Sequence, residues 1–314
     1  MSWRVRGRIS RFCERSCSDV TNDDAVTRRS VIGALGALAV GSSLGRWAPL
    51  ARNASLMGGV APGVLRLRQS VSRWCYRQIP LDELCERAKA MGYRSVELLD
   101  EAEWAVPRAH GLVCAVANGF GTIPVGFNRS DHHDKLVADA ERMIPLAASA
   151  GVPNIVVFSG NREGLSDGEG IGNCITGLKR VAPTAERHGV TLCLEMLNSK
   201  VDHKDYQADH TAWGVQVVQG VGSPRLKLLY DIYHMQIMEG NVIATIRANA
   251  PHIAHFHTGG VPGRGEIDET QELNYRRVMQ AIAETGFTGF VGQEFVPKRD
   301  PLTSLRQAFD ICDV

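Results

Sequence analysis

Four short apolar runs in the second half of the chain each end in a residue able to hold a metal ion or move a proton. They are TLCLE, ending at Glu195, LKLLYD at Asp231, HIAHFH at His257 and FVGQE at Glu294. An ionised carboxylate at the end of an apolar segment carries a large desolvation cost unless a cation or hydrogen-bond donors meet it. One acid so placed commonly caps the next helix; four such residues in series point instead to a shared site. Three carboxylates and an imidazole suit a hard or borderline divalent cation, Mg²⁺ or Mn²⁺ first, then Zn²⁺ or Co²⁺. Such an ion polarises a carbonyl and its neighbouring hydroxyl, lowering the cost of the enediolate formed when the α-proton leaves. Glu195 and Glu294 are the candidates for the base and acid of that transfer.

Positioning these residues requires strands. Each run is too short for a buried helix, rich in β-branched and apolar residues, and bounded by Gly, Pro or Asn. Residues 69–75, 95–98, 112–117 and 154–158 read as four further strands ahead of them. Helical patterns lie between, at 80–91, 101–110, 130–150, 173–188, 209–220, 237–249, 273–285 and 302–312, with residues 159–172 left as a loop. Eight strand–helix units in about 245 residues predict an α/β fold, a single (β/α)8 TIM barrel, in which all strand ends open on one face. Residues 61–314 make that domain, and no linker or repeat divides it.

Residues 1–60 have a different character. They hold nine arginines, no lysine and four acids, a charge of about +5; the whole chain carries +1, so the remainder is mildly acidic. Thr27-Arg28-Arg29-Ser30 precedes a short Ala- and Gly-rich apolar run from Val31 to Val40, and small residues follow. This is the layout of a targeting peptide, and the paired arginines resemble a twin-arginine export signal. The expected partner is then the twin-arginine export machinery and the expected location the periplasm or cell envelope, or the cytoplasm if the signal does not work. An acidic main domain offers no footprint for phosphate backbones, so nucleic acid is not an expected partner. The eight cysteines are scattered without a C-x-x-C and read as small buried hydrophobes, not as a disulfide framework.

The motifs QSVSRWCYRQIPLDEL, LCLEMLN, YDIYHMQIMEG, HFHTGGVPGRGEIDETQELNY and GQEF, in that order, resemble the hydroxypyruvate isomerase family. That family lies within the xylose isomerase-like TIM barrels, which also include ketose 3-epimerases, and the resemblance covers about residues 69–312. It implies a divalent metal bound by two glutamates, an aspartate and a His or Gln, here Glu195, Asp231, His257 and Glu294. The usual residue at the position of His257 in close hydroxypyruvate isomerases is Gln, and His is the more epimerase-like choice. The resemblance also suggests that His234 hydrogen-bonds a substrate oxygen beside the metal. Arg264, in the turn Val261-Pro262-Gly263-Arg264-Gly265, would grip a substrate carboxylate with its planar fork.

The implied reaction interconverts hydroxypyruvate and 2-hydroxy-3-oxopropanoate (tartronate semialdehyde). A ketose 3-epimerase or related sugar isomerase would use the same metal and glutamates on a neutral substrate. A non-catalytic exported sugar- or acid-binding barrel is the alternative outside enzymes, and a nuclease would need more histidines at strand ends and a basic groove. A homo-oligomer is compatible with each reading. Among lesser candidates, His255 lies two residues before His257 and so points to the same side of the strand, one layer deeper. Glu266 and Glu272 flank the Arg264 turn, Trp74 and Trp104 are candidate pocket walls, and His132 and His133 read as surface residues.

Overall fold

The computed structural model describes residues 66–314. The expected signal and linker, residues 1–60, lie outside the described residues. Among the described residues, the strands are β1 (Arg68–Ser72), β2 (Ser95–Glu97), β3 (Asn154–Val157), β4 (Thr191–Met196), β5 (Leu226–Asp231), β6 (Ile253–Thr258) and β7 (Phe290–Gln293). All pair in parallel, in the order β2-β1-β7-β6-β5-β4-β3. Residues 113–117 close the ring between β2 and β3 through the parallel bridges Ser95–Val113, Leu99–Ala117 and Ala117–Ile155. The result is the expected eight-stranded barrel, with helices between strands.

The closing segment is held differently from the other staves. Its central residue, Ala115, receives its hydrogen bonds from side chains: its N–H donates to Ser95 Oγ at 2.9 Å, and its carbonyl accepts from Asn154 Nδ2 at 2.8 Å. The backbone groups are satisfied, as buried ones must be, but no continuous ladder forms. That is why the strand expected at 112–117 survives only as isolated bridges.

The helices are α1 (Leu81–Met91), α2 (Ala105–Ala109), α3 (His133–Ala150), α4 (Asp167–His188), α5 (Thr211–Val221), α6 (Ile232–Met238), α7 (Val242–Asn249), α8 (Tyr275–Glu284) and α9 (Pro301–Cys312). Four expectations are corrected in detail. The strand expected to reach residue 75 stops at Ser72, and residues 73–76 turn as a 3₁₀ helix. The helix expected at 101–110 is a 3₁₀ turn followed by the single short α2. The helix expected at 237–249 is two, because Gly240 and Asn241 both adopt positive φ and break it. Finally, α4 starts inside the expected loop 159–172: Ser166 and Glu169 form a reciprocal capping box that outweighs the glycines following it.

A large apolar cluster fills the space between barrel and helices, whereas a small one, Val116, Val156, Cys193 and Leu229, lies within the barrel on one side. Facing it across the interior are polar groups: Ser70, Ser72, Ser95, Glu97, His255 and His257, all with no solvent exposure. Six cysteines occur among the described residues, all buried and unpaired, as expected. No helix among these residues is long and apolar enough to cross a membrane.

Candidate functional site

The strand register delivers the four expected residues to one place. Asp231, the last residue of β5, pairs with His257 on β6, and His257 pairs with Gly292 on β7, two residues before Glu294. A bulge at the β5–β6 pairing, where Leu228 meets Ile253 but Leu229 meets His255, sets this alignment. Without the extra residue every β6 side chain beyond it would face the other way. One atom from each of Glu195, Asp231, His257 and Glu294 lies within 4.8 Å of the other three, and all four residues are buried.

This donor set fits a divalent cation by composition and by charge. His257 Nδ1 lies 2.6 Å from Glu294 Oε2 and 3.4 Å from Glu195 Oε1, yet it makes no hydrogen bond of acceptable geometry. A buried ring nitrogen that lies beside carboxylates without a hydrogen bond of its own is free to serve as a ligand atom. Burial pushes Asp231 up to about 7, with Glu294 and Glu195 adding to the effect against the pull of Arg264 and His257. Glu294 goes the other way. Burial opposes its ionisation, but Arg264, His257 and Trp74 hold its carboxyl well below the usual range. His257 is likewise penalised by burial but is raised well above the ordinary imidazole value by Glu294, Glu195 and Glu97.

Arg264 sits inside this group. Its Nη2 donates to Glu294 Oε2 at 2.6 Å and to Asp231 Oδ2 at 2.9 Å, and its Nε donates to the Glu294 carbonyl at 3.2 Å. The guanidinium carbon lies 5.3 Å from the ring centre of Trp74 and 5.2 Å from that of Tyr233, so the cation is held between aromatic walls. The backbone that delivers it is unusual: Arg264 adopts φ 52°, the left-handed region, immediately after Gly263 at φ 85°. That conformation is costly for a side-chain-bearing residue, and the contacts of the guanidinium and the bond from Val296 N–H to the Arg264 carbonyl at 2.7 Å offset it.

His234 lies on the first turn of α6, where Asp231 caps the helix by accepting its N–H at 3.1 Å. Asn198 Oδ1 accepts the N–H groups of Val201 and Asp202, so its amide nitrogen faces His234 Nδ1, at 2.6 Å. Nδ1 therefore accepts and Nε2 carries the proton. Burial, with Arg264 next, depresses the His234 pKa well below the ordinary value, so the ring is neutral. Arg264 Nη1 lies 3.0 Å from that same Nε2, a donor facing a donor. A ligand oxygen between them would accept from both.

Sequence reasoning missed two parts of this site. The first is Glu97, at the end of β2, whose Oε1 lies 3.1 Å from Nε2 of both His255 and His257. His255 is thus one layer below His257, as its spacing suggested, and the acid that joins them comes from across the barrel. The second is the loop after β4, where Asn198 and Asp202 join Tyr233 of α6 in a network through Asp202 Oδ2. The polar run after TLCLE was its only signal.

The lesser candidates separate. Trp74 donates to Glu294 Oε1 at 2.5 Å and is part of the site, whereas Trp104 is buried and donates to the Leu99 carbonyl in the core. Glu266 anchors the chain after β7 by accepting from Lys298 N, Arg299 N and Ser304 Oγ, and Glu272 accepts from Gln236. His133 is corrected from surface to buried, its Nε2 lying 2.9 Å from the Phe127 carbonyl.

Residues 85–312 match the xylose isomerase-like TIM barrel family. A mouse protein provisionally named hydroxypyruvate isomerase is 26% identical over 262 residues, 77% of this chain and 93% of its own length. A protein of Haemophilus influenzae named 2-oxo-tetronate isomerase is 26% identical over 246 residues, 73% of this chain and 93% of its own. Among solved structures, a family 2 AP endonuclease from Brucella melitensis superposes with a TM-score of 0.69 at 23% identity, covering 76% of this chain and 97% of that one. That likeness speaks to the fold alone.

Proposed function

The chain belongs to the xylose isomerase-like TIM barrel family, and on that footing we propose that it is a metal-dependent isomerase of small hydroxy-keto acids. The reaction is the interconversion of hydroxypyruvate and 2-hydroxy-3-oxopropanoate through an enediolate. One observation carries the reading: four strand ends converge three carboxylates and an imidazole within 4.8 Å of one another, beside a buried arginine and a neutral histidine. The names of the mouse and Haemophilus relatives support both the reaction type and an acid substrate.

Glu195, Asp231, His257 and Glu294 would hold the ion, which supplies polarisation of the substrate's carbonyl and adjacent hydroxyl. The two glutamates are not equivalent. Glu294 already accepts hydrogen bonds from Trp74 and Arg264, which lower its appetite for a further proton. No hydrogen-bond donor among the described residues is engaged by the Glu195 carboxylate, so Glu195 is the better placed to take the proton from carbon. Glu294 then handles the proton on the neighbouring carbon or oxygen. His234 donates from Nε2 to a substrate oxygen, and Arg264 binds the substrate carboxylate.

A ketose 3-epimerase is the second reading, favoured by His257 where close hydroxypyruvate isomerases carry Gln. Proton exchange into deuterated water, followed by NMR over a panel of hydroxy-keto acids and ketoses with Mg²⁺, Mn²⁺ or Co²⁺ present, decides between them. Exchange and isomer formation with hydroxypyruvate are expected; exchange with ketoses only selects the epimerase, and no exchange with any substrate ends both readings. In Arg264→Ala the KM for an acid substrate rises about 100-fold, the worth of a charge-assisted bidentate contact, while a neutral ketose loses less.

Residues 1–60 are proposed to act as a twin-arginine-type export signal. Fractionation of cells carrying Arg28→Lys/Arg29→Lys tests this: retention of the variant in the cytoplasm is expected, and unchanged distribution would rule the signal out.

A further inference from the structure

We infer that Glu97 is a positioning residue that fixes the ring tautomer of His257 and so makes its Nδ1 a ligand nitrogen. The inference rests on the metal cluster proposed above, but it concerns a residue outside it. Glu97 belongs to β2, and β2 is separated from β6 by β1 and β7 in the sheet. Its side chain crosses the barrel interior to reach His255 and His257, and it has no exposure to solvent.

The crossing is built into the backbone of a third strand. A Cβ on Gly292 of β7 would lie 1.9 Å from Glu97 Oε1 and 2.9 Å from His257 Cδ2. The absence of a side chain at Gly292 is therefore what allows the carboxylate to meet the imidazole. Any other residue would force the two apart, since neither is a flexible end in open space.

The consequence for His257 follows from the donor inventory. An ionised carboxylate only accepts, and an imidazole that binds a metal must be neutral, with one N–H. With Glu97 Oε1 at 3.1 Å from Nε2, the proton must sit on Nε2, which leaves the lone pair on Nδ1. Nδ1 lies beside Glu294 and Glu195, where a cation can use its lone pair and a carboxylate cannot. In the opposite tautomer a proton would occupy Nδ1, and the ring would be lost as a ligand to the shared ion. The same Glu97 oxygen takes the second N–H from His255, also at 3.1 Å. With two imidazole donors on Oε1, this layer serves to orient and not to ligate. Carboxylate–histidine–metal arrangements of this kind typically change metal affinity by 10–100-fold when the outer carboxylate is altered.

The same three residues also satisfy a simple distance test for an ion of their own, since Glu97, His255 and His257 offer atoms within 4.8 Å of one another. Metal stoichiometry separates the two. The full chain, Glu97→Gln, His257→Gln and the double variant are titrated calorimetrically with Mn²⁺, and Co²⁺ d–d absorption reports the ligand set. One ion per chain is expected. Glu97→Gln should weaken it about 10–100-fold and alter the Co²⁺ spectrum, but should cost less than about threefold more in the His257→Gln background, where there is no tautomer to set. Two ions per chain, an unchanged affinity in Glu97→Gln, or an equal loss in both backgrounds would overturn the inference.

A measurement on the unsubstituted chain keeps the test independent of whether variants fold. Nitrogen-15 NMR of the metal-stripped protein at alkaline pH reads which ring nitrogen of His257 retains its proton. Nε2–H is the expected result, and Nδ1–H overturns the inference. Nε2–H in a chain that binds no metal would sink the proposed metal site and leave the tautomer assignment standing.

Discussion

Two buried carboxylates one layer apart in the barrel are pushed in opposite directions. Asp231, at the mouth, is raised to about 7, and Glu97, below it, is lowered to about 2. Burial raises both, and neither is exposed to solvent, so burial is not what separates them. The difference lies in their company. Glu97 faces two imidazoles and a serine hydroxyl, and the attraction of His255 and His257 overcomes burial. Asp231 shares its space with Glu294 and Glu195, and one arginine and one histidine do not balance three acids. The lower layer holds enough positive charge to keep its acid ionised, whereas the upper one is short of it, and a divalent cation is the kind of group that corrects it.

The largest expected effect breaks the upper layer. Asp231→Ala should remove bound metal by elemental analysis and reduce turnover by about three orders of magnitude or more, as removal of a ligand that shapes the transition-state field does. Retention of both metal and activity would show that the four strand ends do not share an ion.

Glu97→Ala breaks the lower layer. It leaves two imidazoles without their common acceptor, and about 3 kcal/mol of folding stability at pH 7 should be lost in urea denaturation. The sign can be followed with pH. A carboxyl lowered from 4.5 to about 2 contributes stability that is present above pH 4.5 and disappears as pH falls toward 2. The parent protein should therefore lose much of its advantage over Glu97→Ala by pH 2, and a constant gap would show that the pairing is not ionic.

The comparison is sharpest between pH 4 and 7. In metal-stripped protein, Asp231 keeps a proton that the unfolded chain has released from about pH 4 upward, so stability should fall as pH rises through that window. Asp231→Asn should flatten this slope. The proton on Asp231 competes with metal, and so does that on His257, itself held well above the ordinary imidazole value, so affinity for Mn²⁺ should weaken by tenfold or more per pH unit below about 7 and go on rising above it. Metal affinity independent of pH from 5 to 8 would contradict the raised value. Smallest is Trp74→Phe, which removes one donor from Glu294 and should change turnover by about tenfold or less, visible as a shift of the acid limb of the pH–rate profile.

The upper layer was legible because each member ends its own apolar run. TLCLE, LKLLYD, HIAHFH and FVGQE announce both the strand and the residue at its end, and parallel topology brings the ends together without further information. The lower layer was legible only in half. His255 follows from alternation along one strand, but Glu97 sits inside the expected strand 95–98, where a single acid carries no mark of its partners. Its partners are more than 150 residues away, and nothing local specifies a contact across a barrel diameter. Arg264 was found as a loop cation, but its insertion between Asp231 and Glu294 depends on a left-handed backbone that composition only hints at. The early start of α4 was hidden because glycines suggested a loop, while the capping box at Ser166 had the stronger local energetics.

The stave formed by residues 113–117 has a consequence for how this barrel yields. Its neighbours run in ladders, but here Ser95 and Asn154 reach in with single hydroxyl and amide groups, and each such substitute trades a cooperative row for an isolated link. Amide protons behind it should trade with solvent sooner than those on β4 to β6. When the cylinder parts under denaturant, it should unroll from this seam while the wall that carries Asp231 and His257 is still intact.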